Sequence, residues 1–94
     1  MSFKIRLFPR AEKEISEAVL WYENKQKGLS TVFIDKLDST FRILKQNPHS
    51  FIRRNKFRQV QVEKSPYIII YNIEENEIII HSVFHTRQDP TKKP

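Results

Sequence analysis

The sequence predicts an α+β domain of order β-α-α-β-β-β, an antiparallel sheet with a two-helix hairpin packed on one face. Three observations carry this. Three β-rich runs, residues 59–63, 67–73 and 78–85, are parted by breaks so short that they join antiparallel neighbours into a meander. Upstream, apolar residues recur every three or four positions in two blocks divided by Gly28. Finally, Ile68-Ile69-Ile70 and Ile78-Ile79-Ile80 put isoleucine on both faces of their strands, so the sheet needs a cover and the helices need a floor.

Taken in order, Phe3, Ile5 and Leu7 alternate with Lys4 and Arg6 and predict a short strand with one wet face. Pro9 then suits the first turn of a helix over residues 10–27, whose stripe is Ala11, Ile15, Ala18 and Tyr22, widened by Val19 and Trp21. Glu12, Glu14 and Glu17 near its start and Lys25 and Lys27 near its end suit the helix dipole. Gly28 is expected to end it in a left-handed cap, and Ser30 to cap a second helix running to about Asn47. The expected stripe of that helix is Ile34, Leu37, Phe41 and Leu44, supported by Phe33, with Asp38 facing Arg42 one turn on. Asn47-Pro48 stops it. In the first β-rich run Val60 and Val62 alternate with Gln59, Gln61 and Glu63. Pro66 marks the break at 64–66, and Asn76 is the expected left-handed residue of the turn at 74–77.

Composition bounds the function. Ninety-four residues make one small domain, 1–94, with no repeat and a single glycine. The absence of cysteine excludes disulfides and cysteine-ligated zinc. Met-Ser-Phe-Lys-Ile-Arg at the start carries no hydrophobic signal core and no apolar run is long enough to span a bilayer, so a soluble cytoplasmic protein with no membrane partner is expected. The tail 89–94 is expected to fray. Between Arg42 and Lys64, seven basic residues face one acidic residue, Glu63, so this stretch carries the whole net charge of +6. Such a block suits an acidic or polyanionic partner, or a solvated surface that keeps a small protein soluble.

One helical hairpin covers one face of a small sheet. With Ile68 and Ile70 on one face and Ile69 and Ile73 on the other, apolar surface is left over. A partner would dock there, unless Phe51, Ile52 and Phe57 fold back across it from the segment 48–57.

The order of elements, with Phe-Pro-x-Ala-Glu-x-Glu-Ile-x-Glu-Ala-x-x-Trp-Tyr-Glu at residues 8–23, resembles the RelE/ParE superfamily of bacterial toxins. So do Gly28-Leu29-x-x-x-Phe33, Asn47-Pro48, Pro66-Tyr67-x-Ile69-x-Tyr71 and Val83-Phe84-His85-Thr86-Arg87. These motifs span nearly the whole chain. The resemblance implies the toxin of a type II toxin–antitoxin pair of the plasmid-stabilisation kind, needing no cofactor. It also implies a cognate antitoxin that would fill the uncovered sheet and neutralise the basic surface, and operator DNA reached only through the antitoxin complex.

The superfamily has two activities. RelE-like ribonucleases cut messenger RNA on the ribosome, with basic side chains on the strand before the Tyr67 motif and an arginine after that tyrosine. The matching positions here are Gln59, Gln61 and Ile68, and the late tyrosine of some ribonucleases is absent, because Arg87 is followed by Gln88-Asp89-Pro90. Neither glutamine nor isoleucine stabilises a phosphorane by charge or transfers a proton. The chain looks more like the ParE branch, which implies inhibition of DNA gyrase without chemistry. The alternatives are a ribosome-dependent endoribonuclease using Arg58, His85 and Arg87, and a decayed toxin that keeps only antitoxin binding.

Seven residues are candidates for contact with a partner or nucleic acid: Arg53, Arg54, Lys56, Arg58, His81, His85 and Arg87. Four apart on one strand, His81 and His85 are expected to share a face about 13 Å apart, too far to chelate one ion, so no metal site is expected. His81 is expected at the rim of the sheet.

Overall fold

The computed structural model describes residues 3–86; Arg87 and the tail 88–94 lie outside the described residues. The order is β1 (Lys4–Leu7), α1 (Pro9–Lys25), α2 (Leu29–Gln46), a 3-10 turn at Pro48–Ser50, then β2 (Arg53–Arg54), β3 (Phe57–Gln61), β4 (Tyr67–Glu74) and β5 (Glu77–His85). The strands form one five-stranded sheet in the order β1-β5-β4-β3-β2, with the α1–α2 hairpin on one face. The α+β class and the helical hairpin on the sheet are as the sequence predicts.

Two features of the sheet are additional. β1 runs parallel to β5, with Lys4 opposite Glu77 and Leu7 opposite Ile80, so the sheet is mixed. Period-two alternation tells which face a residue takes, not which way the neighbouring strand runs. The basic segment, expected as a loop, forms a two-residue strand that turns back on β3 through Asn55, at φ 57°. Asparagine tolerates that left-handed conformation better than most residues. In the β4–β5 turn the left-handed residue is Glu75, φ 54°, not Asn76.

Between the sheet and the helices, Ala11 and Ala18 of α1 and Phe33, Leu37 and Leu44 of α2 meet Val60, Val62, Tyr67, Ile69, Tyr71, Ile78, Ile80 and Val83. The buried stripe of α2 is Phe33, Leu37, Thr40 and Leu44, rotated from the expected one, and Ile34 is exposed. Thr40 is tolerated inside because its hydroxyl donates to the Lys36 carbonyl at 2.9 Å. On α1, Tyr22 stacks on Phe33, whereas Trp21 faces outward with Lys25 Nζ 4.9 Å from its ring. Asp38 and Arg42 form no ion pair; Arg10 and Glu14 do, at 3.5 Å.

The joint between the helices also differs from expectation. α1 ends at Lys25 with Gln26 extended, and Gly28, at φ 93°, precedes α2. No Cβ clash forbids a side chain there; the positive φ favours glycine. Ser30 lies inside the first turn of α2, and Glu23 of α1 does the capping. Its carboxylate accepts from Gly28 N at 3.2 Å, Ser30 N at 3.4 Å and Ser30 Oγ at 2.6 Å. The Ser30 hydroxyl above all, and the backbone donors after it, hold Glu23 below the usual carboxylate range. Among the described residues, no helix is long and apolar enough to cross a membrane.

Candidate functional site: the outer face of the sheet and its basic edge

A bulge in β5 decides which side chains reach the outer face, the one turned away from the helices. Ile70 is opposite Ser82 but Tyr71 is opposite Ile80, which leaves His81 as an extra residue. Strict alternation would have kept His81 and His85 on one face. The bulge instead returns Val83 and His85 to the helix side, where His85 lies opposite Tyr67 with ring centroids 5.2 Å apart. The expectation of a shared face is overturned, because one inserted residue reverses the parity of the strand.

His81 sits on the outer face as the hub of a small cluster. Its ring meets Phe8 edge-on at 4.6 Å and Phe57 at 5.0 Å, and Nε2 donates to Asn72 Oδ1. That acceptor fixes the proton on Nε2. Burial, with Lys56 nearby, holds the imidazole below its ordinary value of 6.5 against the opposing pull of Glu74. Arg6 extends the cluster, its guanidinium carbon 5.7 Å from the Phe8 ring. The cluster shields Ile79, which is 1% exposed although no helix crosses this face. Phe57 lies on this face as the first residue of β3 rather than as a loop residue folded back, Phe51 packs at the core margin, and Ile52 remains 67% exposed.

Two cross-strand rows fill the rest of the outer face. One is Gln61, Ile68 and Phe84; the next is Gln59, Ile70 and Ser82. None of the six is ionisable. Gln61 is also engaged, its Nε2 donating to the Ser65 carbonyl at 2.8 Å.

The basic residues gather at the β2 edge. Arg53, Arg54 and Lys56 are exposed; Arg53 Nε donates to the Asn55 carbonyl at 2.6 Å, and Lys56 Nζ lies 5.4 Å from the Phe57 ring centre. Arg58 is half-buried, its Nη1 donating to the carbonyls of His49 at 3.0 Å and Phe51 at 2.9 Å. Beside it the Tyr71 hydroxyl donates to the Pro48 carbonyl at 2.7 Å, and burial pushes that phenol up to about 12 despite the Arg58 charge. Both side chains pin the segment after α2 onto the sheet.

Arg53, Arg54, Lys56 and Arg58 thus share the β2 edge, Arg53 and Arg58 on the side of Tyr71 and Arg54 on the side of Phe57, through which His81 approaches. His85 does not. Arg58 pairs with Tyr71 and His85 with Tyr67, four residues along β4, so they are at least about 13 Å apart. Arg87 lies outside the described residues. Among these, no group of three or more His, Cys, Asp or Glu could hold a metal ion. Nothing in the sequence pattern points to Asn72, or to Phe8 and Phe57 as ring neighbours of His81. Only the bulge brings them to His81, and a bulge leaves no mark in hydrophobic periodicity.

A helical hairpin on one face of a mixed five-stranded sheet, with a basic strand at its edge, defines a small α+β fold. Residues 5–90 match the family described as ParE toxin of type II toxin-antitoxin system, parDE, and the chain belongs to that family. Among solved structures it is similar to a chain of the chromosomal ParDE toxin–antitoxin system from P. aeruginosa. The TM-score is 0.76 at 12% identity, covering 88% of this chain and 95% of that one. It is also similar to a chain of the toxin–antitoxin complex RelBE2 from Mycobacterium tuberculosis, with a TM-score of 0.63 at 14% identity, covering 90% and 99%. At such identities these likenesses report the fold. No curated protein sequence matches the chain significantly.

Proposed function

We propose that this ParE-family toxin acts in the cytoplasm by binding DNA gyrase without chemistry, as part of a plasmid-stabilisation module, and is neutralised by a cognate antitoxin. The observation that carries the reading is the pair of uncharged rows on the outer face, Gln61–Ile68–Phe84 and Gln59–Ile70–Ser82. RNA cleavage calls for a base at the ribose 2′-OH, an acid at the leaving oxygen and cations around the phosphorane. Each such group typically supplies about 2–5 kcal/mol, so the loss of two lowers the rate by several decades. The separation of Arg58 from His85 along the sheet supports this reading over a site that would use both. An antitoxin partner is supported by the family and by the two similar structures, both described as toxin–antitoxin systems.

The test sets two readouts side by side. Purified toxin should inhibit gyrase supercoiling of relaxed plasmid. Mapping of transcript 5′ ends after induction should show no codon-phased cuts. Cuts that vanish in His85→Ala, with supercoiling unaffected, would reverse the assignment in favour of a ribonuclease.

A further inference from the structure

The edge of the sheet at β2 holds a solvent-open cavity of about 160 Å³ that the proposed gyrase contact does not explain. Ile52, Phe57 and Ile70 form its apolar walls, and Arg54, Arg58 and Gln59 its polar ones. A cavity of roughly 150 Å³ walled by Leu, Ile and Phe takes a benzene ring, so this one has the size for a single leucine or phenylalanine side chain. Ile52 stands 67% exposed at its mouth. Residues 48–62 carry Arg53, Arg54, Lys56 and Arg58 and no Asp or Glu. β2 pairs with Phe57 and Arg58, and the Ile52 carbonyl accepts from Gln59 N at 3.0 Å, so among the described residues the outer edge of β3 is uncovered only beyond Gln59.

We propose that this cavity receives one apolar side chain from an extended acidic peptide, a carboxylate of which pairs with Arg54 at the rim. The inference rests on the proposed function for the owner of the peptide, the antitoxin. An apolar wall with Arg54 beside it and no carboxylate in residues 48–62 suits a central anchor with a charged flank: the anchor supplies affinity, the flank register and on-rate. Nucleic acid fits less well. A base stacks on an open aromatic face, and Phe57, the aromatic residue of the cavity, already has His81 edge-on at 5.0 Å and Lys56 over its ring. Arg58 is partly committed to two carbonyls, which leaves Arg54 as the freer cation on the cavity wall.

The experiment titrates the intact toxin with a labelled acetylated peptide, Glu-Asp-Phe-Glu-Asp, read by fluorescence polarisation and by amide shifts in a 15N NMR spectrum. Expected are shifts centred on Ile52, Phe57, Gln59 and Ile70, and binding that weakens with salt. Replacing the peptide's phenylalanine by alanine should weaken binding about thirtyfold, the usual effect of removing a buried anchor. Arg54→Glu should weaken it about tenfold, and Ile52→Ser should also weaken it; both sites are exposed, and the NMR spectrum reports whether each variant is folded. Equal affinity for the alanine peptide, shifts confined to another surface, or tighter binding of an oligothymidine than of the peptide would each overturn the inference. Gyrase supercoiling is measured on the same preparations. Peptide failure with gyrase inhibited refutes the cavity alone, whereas peptide binding with gyrase untouched refutes the proposed target and leaves the cavity assignment standing.

Discussion

Both faces of this sheet carry isoleucine, and they are kept dry by different means. On the helix side Ile69, Ile78 and Ile80 are wholly buried beneath two helices, α1 turning Ala11 and Ala18 inward and α2 Phe33, Leu37 and Leu44. On the outer side Ile79 is just as dry, at 1% exposure, beneath a single layer of side chains: Phe8, His81, Phe57 and Arg6. The first face resembles a protein interior; the second is a surface that has been shingled. A shingle can move without unfolding the domain, which suits a face offered to another macromolecule.

The comparison is broken most sharply by truncating one isoleucine on each side. Ile80→Ala should cost about 4 kcal/mol, because helices and sheet close only partly on the void. Ile79→Ala should cost about 2–3 kcal/mol, since loose side chains refill the gap more readily. Urea denaturation of both variants checks this, and equal losses would mean the outer layer is as rigid as the core. Next in size is Tyr71→Phe, expected to cost about 1–2 kcal/mol by leaving the buried Pro48 carbonyl without its donor. Its urea midpoint should fall, with protection of the segment 48–51 against hydrogen exchange falling first.

The smallest effect is a pH dependence specific to the outer face. Burial holds His81 below 6.5 in the folded state, so the unfolded chain takes up the proton first as the solution is acidified. The stability it contributes is intact above the unfolded value and is lost as pH falls through the depressed folded value. Denaturation from pH 7.5 to 5 should show this decline, and His81→Gln should flatten it. An unchanged slope would assign the decline to other groups.

Much of the fold was legible in advance because its cause is periodic. The α1 stripe, the meander and the helix stop at Asn47-Pro48 follow from spacing and from proline's missing donor. What stayed hidden depends on a single polar contact or a single inserted residue. Thr40 hides its hydroxyl inside its own helix, so a hydropathy stripe steps over it to Phe41. Glu23 caps the helix that follows its own, across the Gly28 joint. His81 bulges from β5 and turns everything after it over, which no alternation rule foresees. The basic edge was legible as charge, but the cavity was not, since it needs β2 folded back so that Ile52, Phe57 and Ile70 converge.

Glu14 has a bearing on how the molecule behaves in a crowded cell. Its carboxylate accepts from Val83 N at 2.9 Å and Ser82 Oγ at 2.8 Å, just beyond Ile80, where β1 ceases to accompany β5. A strand with its backbone donors bared in such a place invites another strand, from a folding intermediate or a second copy, to add on. By meeting the donor with a charged side chain from α1, the fold keeps the neighbouring Val83-Phe84 from becoming a nucleus for aggregation. Glu14→Ala should therefore betray itself at high expression, as protein moving from the soluble fraction into inclusion bodies.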